Sequence, residues 1–184
     1  MNESLTRDDA LADEAIRTLL ALPEESQAAY VAGRAWQPAA VVRALADRSF
    51  ALLEGDPAQA LDVADASARV AAMTDNAATR ALSERAMANA LHASGRYAAA
   101  LERYDAAWAA FSAGGAGLEA ARTLIGKVDA LMMMGRYAEA LAVAQAARAA
   151  LAAHDDHRRV ARLDSNLGNI FHRLDRPAPR DGQP

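Results

Sequence analysis

One short motif recurs in the sequence with a constant 40-residue period. Two copies are close to identical: Gly-Arg-Tyr-Ala-Ala-Ala-Leu starts at Gly95, and Gly-Arg-Tyr-Ala-Glu-Ala-Leu starts at Gly135. A more divergent copy starts at Gly55, and the beginning of another stands at Asp175. A fixed period of this length is typical of repeat proteins, in which similar supersecondary units stack side by side. The period therefore constrains the fold more strongly than any single residue does.

The composition favours helices and excludes several kinds of site. Alanine and leucine, which have high helix propensity, are abundant, and aromatic residues make up only 5% of the chain. The formal net charge of −4 gives no electrostatic signature for nucleic acid, so we expect no such partner. The chain contains no cysteine, which excludes disulfides, a thiol nucleophile and thiolate metal ligands.

The hydropathy pattern bears on where the protein works. The first residues lack the basic and then apolar pattern of a secretory signal peptide. No apolar run approaches the roughly 18 residues that a transmembrane helix needs. We therefore expect a cytoplasmic protein that has no membrane partner.

Glycine and proline residues divide the chain into an N-terminal part, a set of repeats and a tail. Residues 1–37 are predicted to form an N-terminal helical cap of two helices, the first ending near Leu22. Each repeat is predicted to contain a helix A, a turn at the glycine and a helix B. The paired prolines and the glycine of residues 176–184 predict a disordered tail. The predicted repeats, which together span 38–175, are 38–74, 75–114, 115–154 and a half repeat at 155–175.

Apolar and small residues recur within each helix at spacings of three and four, so that each helix has one face to bury. In the helix B that begins at Tyr97, this face comprises Tyr97, Ala100, Leu101, Tyr104, Trp108 and Phe111. We expect Tyr104 and Trp108 to lie in the core between repeats. Met133 and Met134 are expected to fill space at the end of a helix A.

The repeats resemble tetratricopeptide repeats (TPR) of the lengthened bacterial type. The resemblance is strong over 75–175 and weaker over 38–74. The tryptophan that is typical near the start of helix A is replaced by Glu84, Leu124 and Asp164. The resemblance implies an all-α, right-handed superhelical solenoid of antiparallel helix pairs. It rests on the two Gly-Arg-Tyr motifs, each with its following Ala-Leu pair (Ala100 and Leu101, Ala140 and Leu141), on Tyr104 and on the run from Asn166 to Phe171.

In that family, ligands lie in a concave groove lined by the A helices, and the resemblance implies which residues face it here. They recur with the period of the repeat and form one polar stripe on each helix A. Asparagine amides suit the backbone of an extended peptide, and arginines suit a carboxylate. The alternative is an ordinary solvated helix face. The implied groove residues are Arg85, Asn89, His92, Arg122, Asp129, Met132, Arg162, Asn169 and His172.

The sequence offers little for catalysis or metal binding. Ser165 and His172 would share one helix surface, without the strained turn or oxyanion loop of a catalytic triad. The run from His154 to His157 contains metal-capable side chains, but it is better explained as a polar loop before a helix. The glycines from Gly114 to Gly117 indicate a flexible joint rather than a phosphate loop. We therefore expect no enzymatic activity, no cofactor and no metal.

The expected function is that of a scaffold or regulatory module that binds a protein or peptide in the groove. Two alternatives remain open. The repeats are also similar to arrays that adjoin caspase-like (CHAT) peptidase domains in bacterial multidomain proteins, which implies a sensor fragment of a protease or signalling protein. The helix 157–174 has no following partner helix, so a homodimer through Leu167, Phe171 and Leu174 is the other alternative.

Overall fold

The computed structural model describes residue 14, residues 16–34 and residues 36–174, except for the side chains at 170, 173 and 174. Within these residues the regular structure is entirely α-helical, with no strand. A first helical segment, α1, covers 16–21. The helices that follow are α2 (Glu24–Gly33), α3 (Pro38–Leu52), α4 (Pro57–Ala71), α5 (Ala77–Ala93), α6 (Tyr97–Ala113), α7 (Gly117–Met133), α8 (Tyr137–Ala153) and α9 (His157–Leu174).

From α5 onward the helices are joined by four turns of the same kind. The left-handed residue of each turn is Gly95, Gly115, Gly135 or Asp155, with φ of 74°, 72°, 72° and 55°. In each turn the next residue donates its amide to the carbonyl five residues earlier, a pattern that ends helices with a Schellman motif. Four helices of 17 residues therefore alternate with turns of constant length. The two halves of the repeat unit are thus structurally equivalent.

The turn at Gly55 differs, although this glycine stands in the same repeat frame. Its φ is not positive, and Asp56 donates its amide to the carbonyl of Leu52 at 2.8 Å, only four residues earlier. The Asp56 carboxylate then caps α4 by accepting from the amide of Gln59 at 2.9 Å. Both α3 and α4 have 15 residues, so the first hairpin is shorter than those that follow.

The helices pack in sequence as an array of antiparallel pairs. From α3 to α9 each helix contacts the next one along the chain. In addition, α3 contacts α5, α5 contacts α7, and α7 contacts α9. Contacts between α4 and α6, and between α6 and α8, are sparser. The array therefore has a close inner layer, formed by α3, α5, α7 and α9, and a more widely spaced outer layer.

The core between the layers is built largely from alanine, which lets helix backbones approach closely. Ala88, Ala100, Ala130, Ala140 and Ala144 are fully buried in its largest cluster. Larger side chains fill the remaining space; those fully or almost fully buried there are Tyr104, Val128, Leu131, Leu151 and Leu163.

Three side chains expected inside are exposed. Trp108 is 42% exposed and does not lie in the core between repeats, although its neighbour Tyr104 does. Met133 is 60% exposed and Met134 is also exposed, so neither fills space at the end of α7 as expected. These predictions were wrong because Trp108 lies at the edge of the buried stripe of α6, and both methionines lie at the end of α7, where the turn leaves them uncovered.

The N-terminal helices form a second core with the first hairpin. Ile16, Leu19 and Val31 are buried with residues of α3 and α4. Trp36 meets Tyr30 edge-on, with ring centroids 5.6 Å apart, and Arg34 stacks on the Tyr30 ring at 3.6 Å. The earlier part of the first predicted helix and the predicted tail at 176–184 lie outside the described residues. Among the helices described, none is long and apolar enough to cross a membrane.

Candidate binding groove

A cavity of about 620 Å³ lies along the inner layer. Its walls come from α3, α5, α7 and α9, and Tyr104 reaches it from α6. Three of the implied groove residues do not line the cavity. Met132 is partly buried against the core, and Asn169 and His172 are exposed on α9. The other six line it together: Arg85, Asn89, His92, Arg122, Asp129 and Arg162.

The arginines of the groove are already paired with carboxylates of this chain. Glu119 accepts from Arg85 through one oxygen and from Arg122 through the other, each at 2.6 Å. Arg122 also contacts Asp156 at 3.1 Å, and Arg159 reaches the same Asp156 oxygen at 2.9 Å. These pairs form a continuous ladder from α5 through α7 to α9. The ladder joins the inner helices to one another and pairs each of its arginines with a carboxylate of this chain.

A second pairing links α7 to α9. The Asp129 carboxylate accepts from Arg162 at 2.9 Å and from the Asn166 amide at 2.6 Å. Asp129 was implied as a groove residue, but its two oxygens are engaged inside the chain. The 40-residue period did not indicate this pairing, because Arg162 and Asn166 follow Asp129 by 33 and 37 residues.

The ladder fixes the protonation of its acids. Burial by itself would raise the pKa of Glu119, but hydrogen bonds from Arg85 and Arg122 outweigh that effect and leave the pKa below its ordinary value. For Asp156, burial likewise acts to raise the pKa, and the hydrogen bonds from Arg159 and Arg122 lower it overall. Both groups are therefore carboxylates at neutral pH.

The middle of the groove is organised by Tyr104 and Asn89. The Tyr104 hydroxyl donates to the Asn89 side-chain oxygen at 2.8 Å, and burial raises the pKa of the phenol. No residue in the described part of the chain accepts from the amide nitrogen of Asn89. The hydroxyl lies against Gly126 of α7, where no side chain stands in its way. Asn89 is thus held by its oxygen and keeps two N–H donors for a ligand.

His92 lies one turn further along α5. Its ring meets Tyr97 edge-on, with centroids 5.3 Å apart, and its Nε2 atom is buried without a hydrogen-bond partner in the described residues. Burial lowers the pKa of His92; Asp129 opposes this shift and Arg162 adds to it. The imidazole is therefore neutral at neutral pH. Buried polar atoms without a partner are few in native proteins, so the Nε2 atom of His92 is available to water or to a ligand.

The α3 end of the groove was missed by the sequence interpretation. Phe50, Leu53 and Leu82 line the cavity here, with Asp47 and Glu54 beside them. Phe50 is 66% exposed, and neither acid makes an ion pair or hydrogen bond within the described residues.

The 40-residue repeat contains a sequence signal for the exposed surface around Phe50. The positions equivalent to Phe50 in the next two repeats are Ala90 and Ala130, both fully buried. A large aromatic at a position that the next two repeats fill with alanine marks a place where the surface of the array differs from theirs.

A second cleft, of about 440 Å³, lies on the other side of the array between α6, α7 and α8. Its charges are largely paired: Lys127 contacts Asp105, and Arg136 contacts Glu139 at 2.6 Å. Across the described residues, no three histidine, aspartate or glutamate side chains converge in a way that could hold a metal ion.

Comparison of the chain with protein families, with curated proteins and with solved structures gave no match. The candidate site is therefore described by its own geometry.

Proposed function

We propose that this chain is a binding module of the TPR-like, right-handed solenoid type, which holds a protein segment or peptide in its concave groove. The observation that carries the proposal is the convergence of Arg85, Asn89, His92, Arg122, Asp129 and Arg162, from three successive inner helices, on one cavity of about 620 Å³. The volume is in the range of ligand-binding sites, and the lining combines apolar side chains with a larger number of polar and charged ones.

The polar groups of the groove support binding rather than chemistry. The Asn89 amide offers free donors to a peptide backbone, and its position is fixed by Tyr104. The Thr123 hydroxyl, which also lines the cavity, donates to the Glu119 carbonyl at 2.8 Å and is not set beside a base. An acyl- or phosphoryl-transfer site needs a nucleophile with a base in reach. We therefore propose a module without enzymatic activity.

The ladder of ion pairs supports the same role. It holds α5, α7 and α9 at fixed separations, so the groove exists before a ligand arrives. A preformed site binds more tightly, because less conformational freedom is lost when the complex forms. The module would recognise its partner by shape and by hydrogen bonds along the inner helices.

The test is selection of peptides from a random phage-displayed library, followed by titration of the selected peptides against two variants. Ala93→Trp fills the cavity, which Ala93 lines, and Ala106→Trp places the same side chain on the exposed surface of α6. We expect Ala93→Trp to abolish binding and Ala106→Trp to leave it unchanged, with circular dichroism showing equal helicity. Peptides that bind Ala93→Trp as well as the parent chain would overturn the proposal.

A homodimer through α9 is a second candidate, favoured by one observation. Ala161, Gly168 and Phe171 are exposed on α9, with Phe171 48% exposed. The equivalent residues of the preceding repeat, Ala121, Val128 and Leu131, are buried by the helix that follows them. Sedimentation of the parent chain and of Phe171→Glu tests this candidate: a dimer that dissociates on substitution supports it, and a monomer at high concentration removes it.

A further inference from the structure

The α3 end of the groove combines an exposed aromatic ring with carboxylates that have no partner. Phe50 stands out from α3 with 66% of its surface exposed. Leu53 and Leu82 lie partly buried in the same wall. In the next two inner helices, the equivalent positions, Ala90 and Ala130, are covered by neighbouring helices. The apolar surface at this end is therefore open to a ligand.

The free charge in the groove is negative. Asp47 and Glu54 are exposed, line the cavity and have no partner in the described residues. Every arginine that lines the cavity has a carboxylate partner in the chain: Arg85, Arg122, Arg159 and Arg162. The two arginines of α3, Arg43 and Arg48, do not line the cavity. A ligand thus meets two carboxylates that have no partner, whereas each arginine of the cavity wall already contacts a carboxylate of the chain.

The spacing of the two carboxylates and Phe50 along the chain determines how a ligand can contact them. Asp47 precedes Phe50 by three residues, and Glu54 follows it by four, so all three lie on one face of α3 and its C-terminal turn. A lysine or arginine side chain can lay its aliphatic stem on the Phe50 ring while its charged end reaches the carboxylates. A neighbouring apolar side chain would then cover Leu53 and Leu82.

We propose that the partner is a basic peptide segment in which a lysine or arginine lies beside an apolar residue, and that the α3 end of the groove recognises this pair. The inference rests on the proposed function. The residue types of the groove alone had suited its arginines to a ligand carboxylate instead. An acidic peptide would have to displace Glu119 or Asp129 from existing ion pairs, whereas a basic peptide meets free carboxylates.

The experiment compares peptides selected on the parent chain for binding to two double variants with the same loss of charge. Asp47→Asn with Glu54→Gln removes the two carboxylates of the groove. Asp62→Asn with Glu102→Gln removes exposed acids of α4 and α6, away from the groove. We expect selected peptides to be enriched in lysine or arginine next to leucine, phenylalanine or tryptophan. Their affinity should fall about tenfold or more on the groove variant and stay unchanged on the control.

A variant in which both charges are reversed provides a complementary experiment. Selection on Asp47→Lys with Glu54→Lys should enrich acidic peptides instead of basic ones. Affinity of the original peptides for the parent chain should also fall as salt rises, since exposed charges are screened.

The results that would overturn this inference differ from those that would overturn the proposed function. Acidic or uncharged peptides that lose binding on Ala93→Trp would overturn this inference and leave the proposed function standing. So would basic peptides that lose affinity equally on the two double variants, because net charge alone would then explain their binding. Peptides that retain binding on Ala93→Trp would overturn the proposed function, and the inference with it.

Discussion

The hydroxyl of Tyr104 occupies the space that a β-carbon on Gly126 would need. The two residues belong to adjacent helices, α6 and α7, and their side-chain sizes are complementary. At the positions equivalent to Tyr104 in the preceding and following repeats, the chain has Ala64 and Ala144. At the positions equivalent to Gly126 it has Ala86 and Asn166. The large residue and the absent side chain therefore occur together, where the repeat 75–114 meets the repeat 115–154 and a phenol reaches the groove wall.

The first prediction concerns this pair. Gly126→Ala should destabilise the chain by about 1–3 kcal/mol, because the added methyl group forces the Tyr104 ring or the helices apart. In a Tyr104→Ala background the same change should stabilise it by up to about 1 kcal/mol, since alanine is the better helix former. Urea denaturation of the four proteins measures the coupling. Equal effects of Gly126→Ala in both backgrounds would contradict the packing described.

The second prediction concerns the ladder. Glu119→Gln removes the negative charge shared by Arg85 and Arg122, and one of its two acceptor oxygens, and should lower the free energy of unfolding by roughly 1 kcal/mol at pH 7. Glu139→Gln, which breaks the exposed pair with Arg136, is the matched control and should have a smaller effect. Urea denaturation measures both, and a larger loss for Glu139→Gln would contradict the ladder's role.

The ladder also has a pH signature. The pKa of Glu119 is below its ordinary value of 4.5 in the folded chain, so the unfolded chain binds the proton more readily. The stability from this group is fully present above pH 4.5 and is lost as the pH falls through the lowered pKa. The difference in unfolding free energy between the parent chain and Glu119→Gln should therefore shrink on acidification below pH 4.5. A difference that grows instead would contradict the assignment.

The third prediction concerns His92. Because burial lowers its pKa, the imidazole resonances should titrate with a midpoint below 6.5 in an NMR experiment. Asp129→Asn should lower the midpoint further, since the negative charge of Asp129 raises the pKa. Asp164→Asn, which breaks the remote pair with Arg148, should leave it unchanged. A midpoint above 6.5 would mean that the ring is more exposed than the structure has it.

The lowered pKa of His92 also determines how the stability of the chain changes with pH. Between pH 6.5 and the lowered pKa, the unfolded chain is protonated at His92 and the folded chain is not, so this residue makes the chain less stable as the pH falls. Replacement by glutamine should weaken the pH dependence of unfolding in that interval.

The fourth prediction concerns the turn at Asp155. This residue has a φ of 55° at a position where the other equivalent turns have glycine. Asp155→Gly should stabilise the chain by roughly 0.5–1 kcal/mol, because glycine adopts a left-handed conformation without steric cost. Gly115→Asp should destabilise it by a similar amount. Thermal unfolding of both variants provides the check, and effects of the same sign would argue against the shared turn geometry.

The helical array could be predicted from the sequence because its signal is periodic. The glycine turns and the small-residue stripes share one period, and the described helices from α5 to α9 follow that frame. The equivalence of the two half units was not evident, since Gly115 and Asp155 share a backbone conformation without sharing a side chain. The turn at Gly55 shows the reverse case, in which a glycine in the frame adopts a different conformation.

The charges of the groove could be placed from the sequence, but their partners could not. The resemblance to TPR implied that Arg85, Arg122 and Arg162 face the inner surface, and each of them lines the cavity. Which carboxylate each arginine reaches depends on how far neighbouring helices are shifted along their axes, and periodicity does not report that shift. Phe50 was missed for a related reason: no helix among the described residues covers it, and its own helix does not report that.

The central claim is that a ligand lies against the inner helices. Isotope-filtered NMR of the chain with a selected peptide tests it most directly, through nuclear Overhauser effects between the two molecules. The account predicts contacts from the peptide to the Phe50 ring and the Ala93 methyl group, and none to the Trp108 ring on α6. Contacts to Trp108 or to Phe171, with none to Phe50 or Ala93, would contradict it.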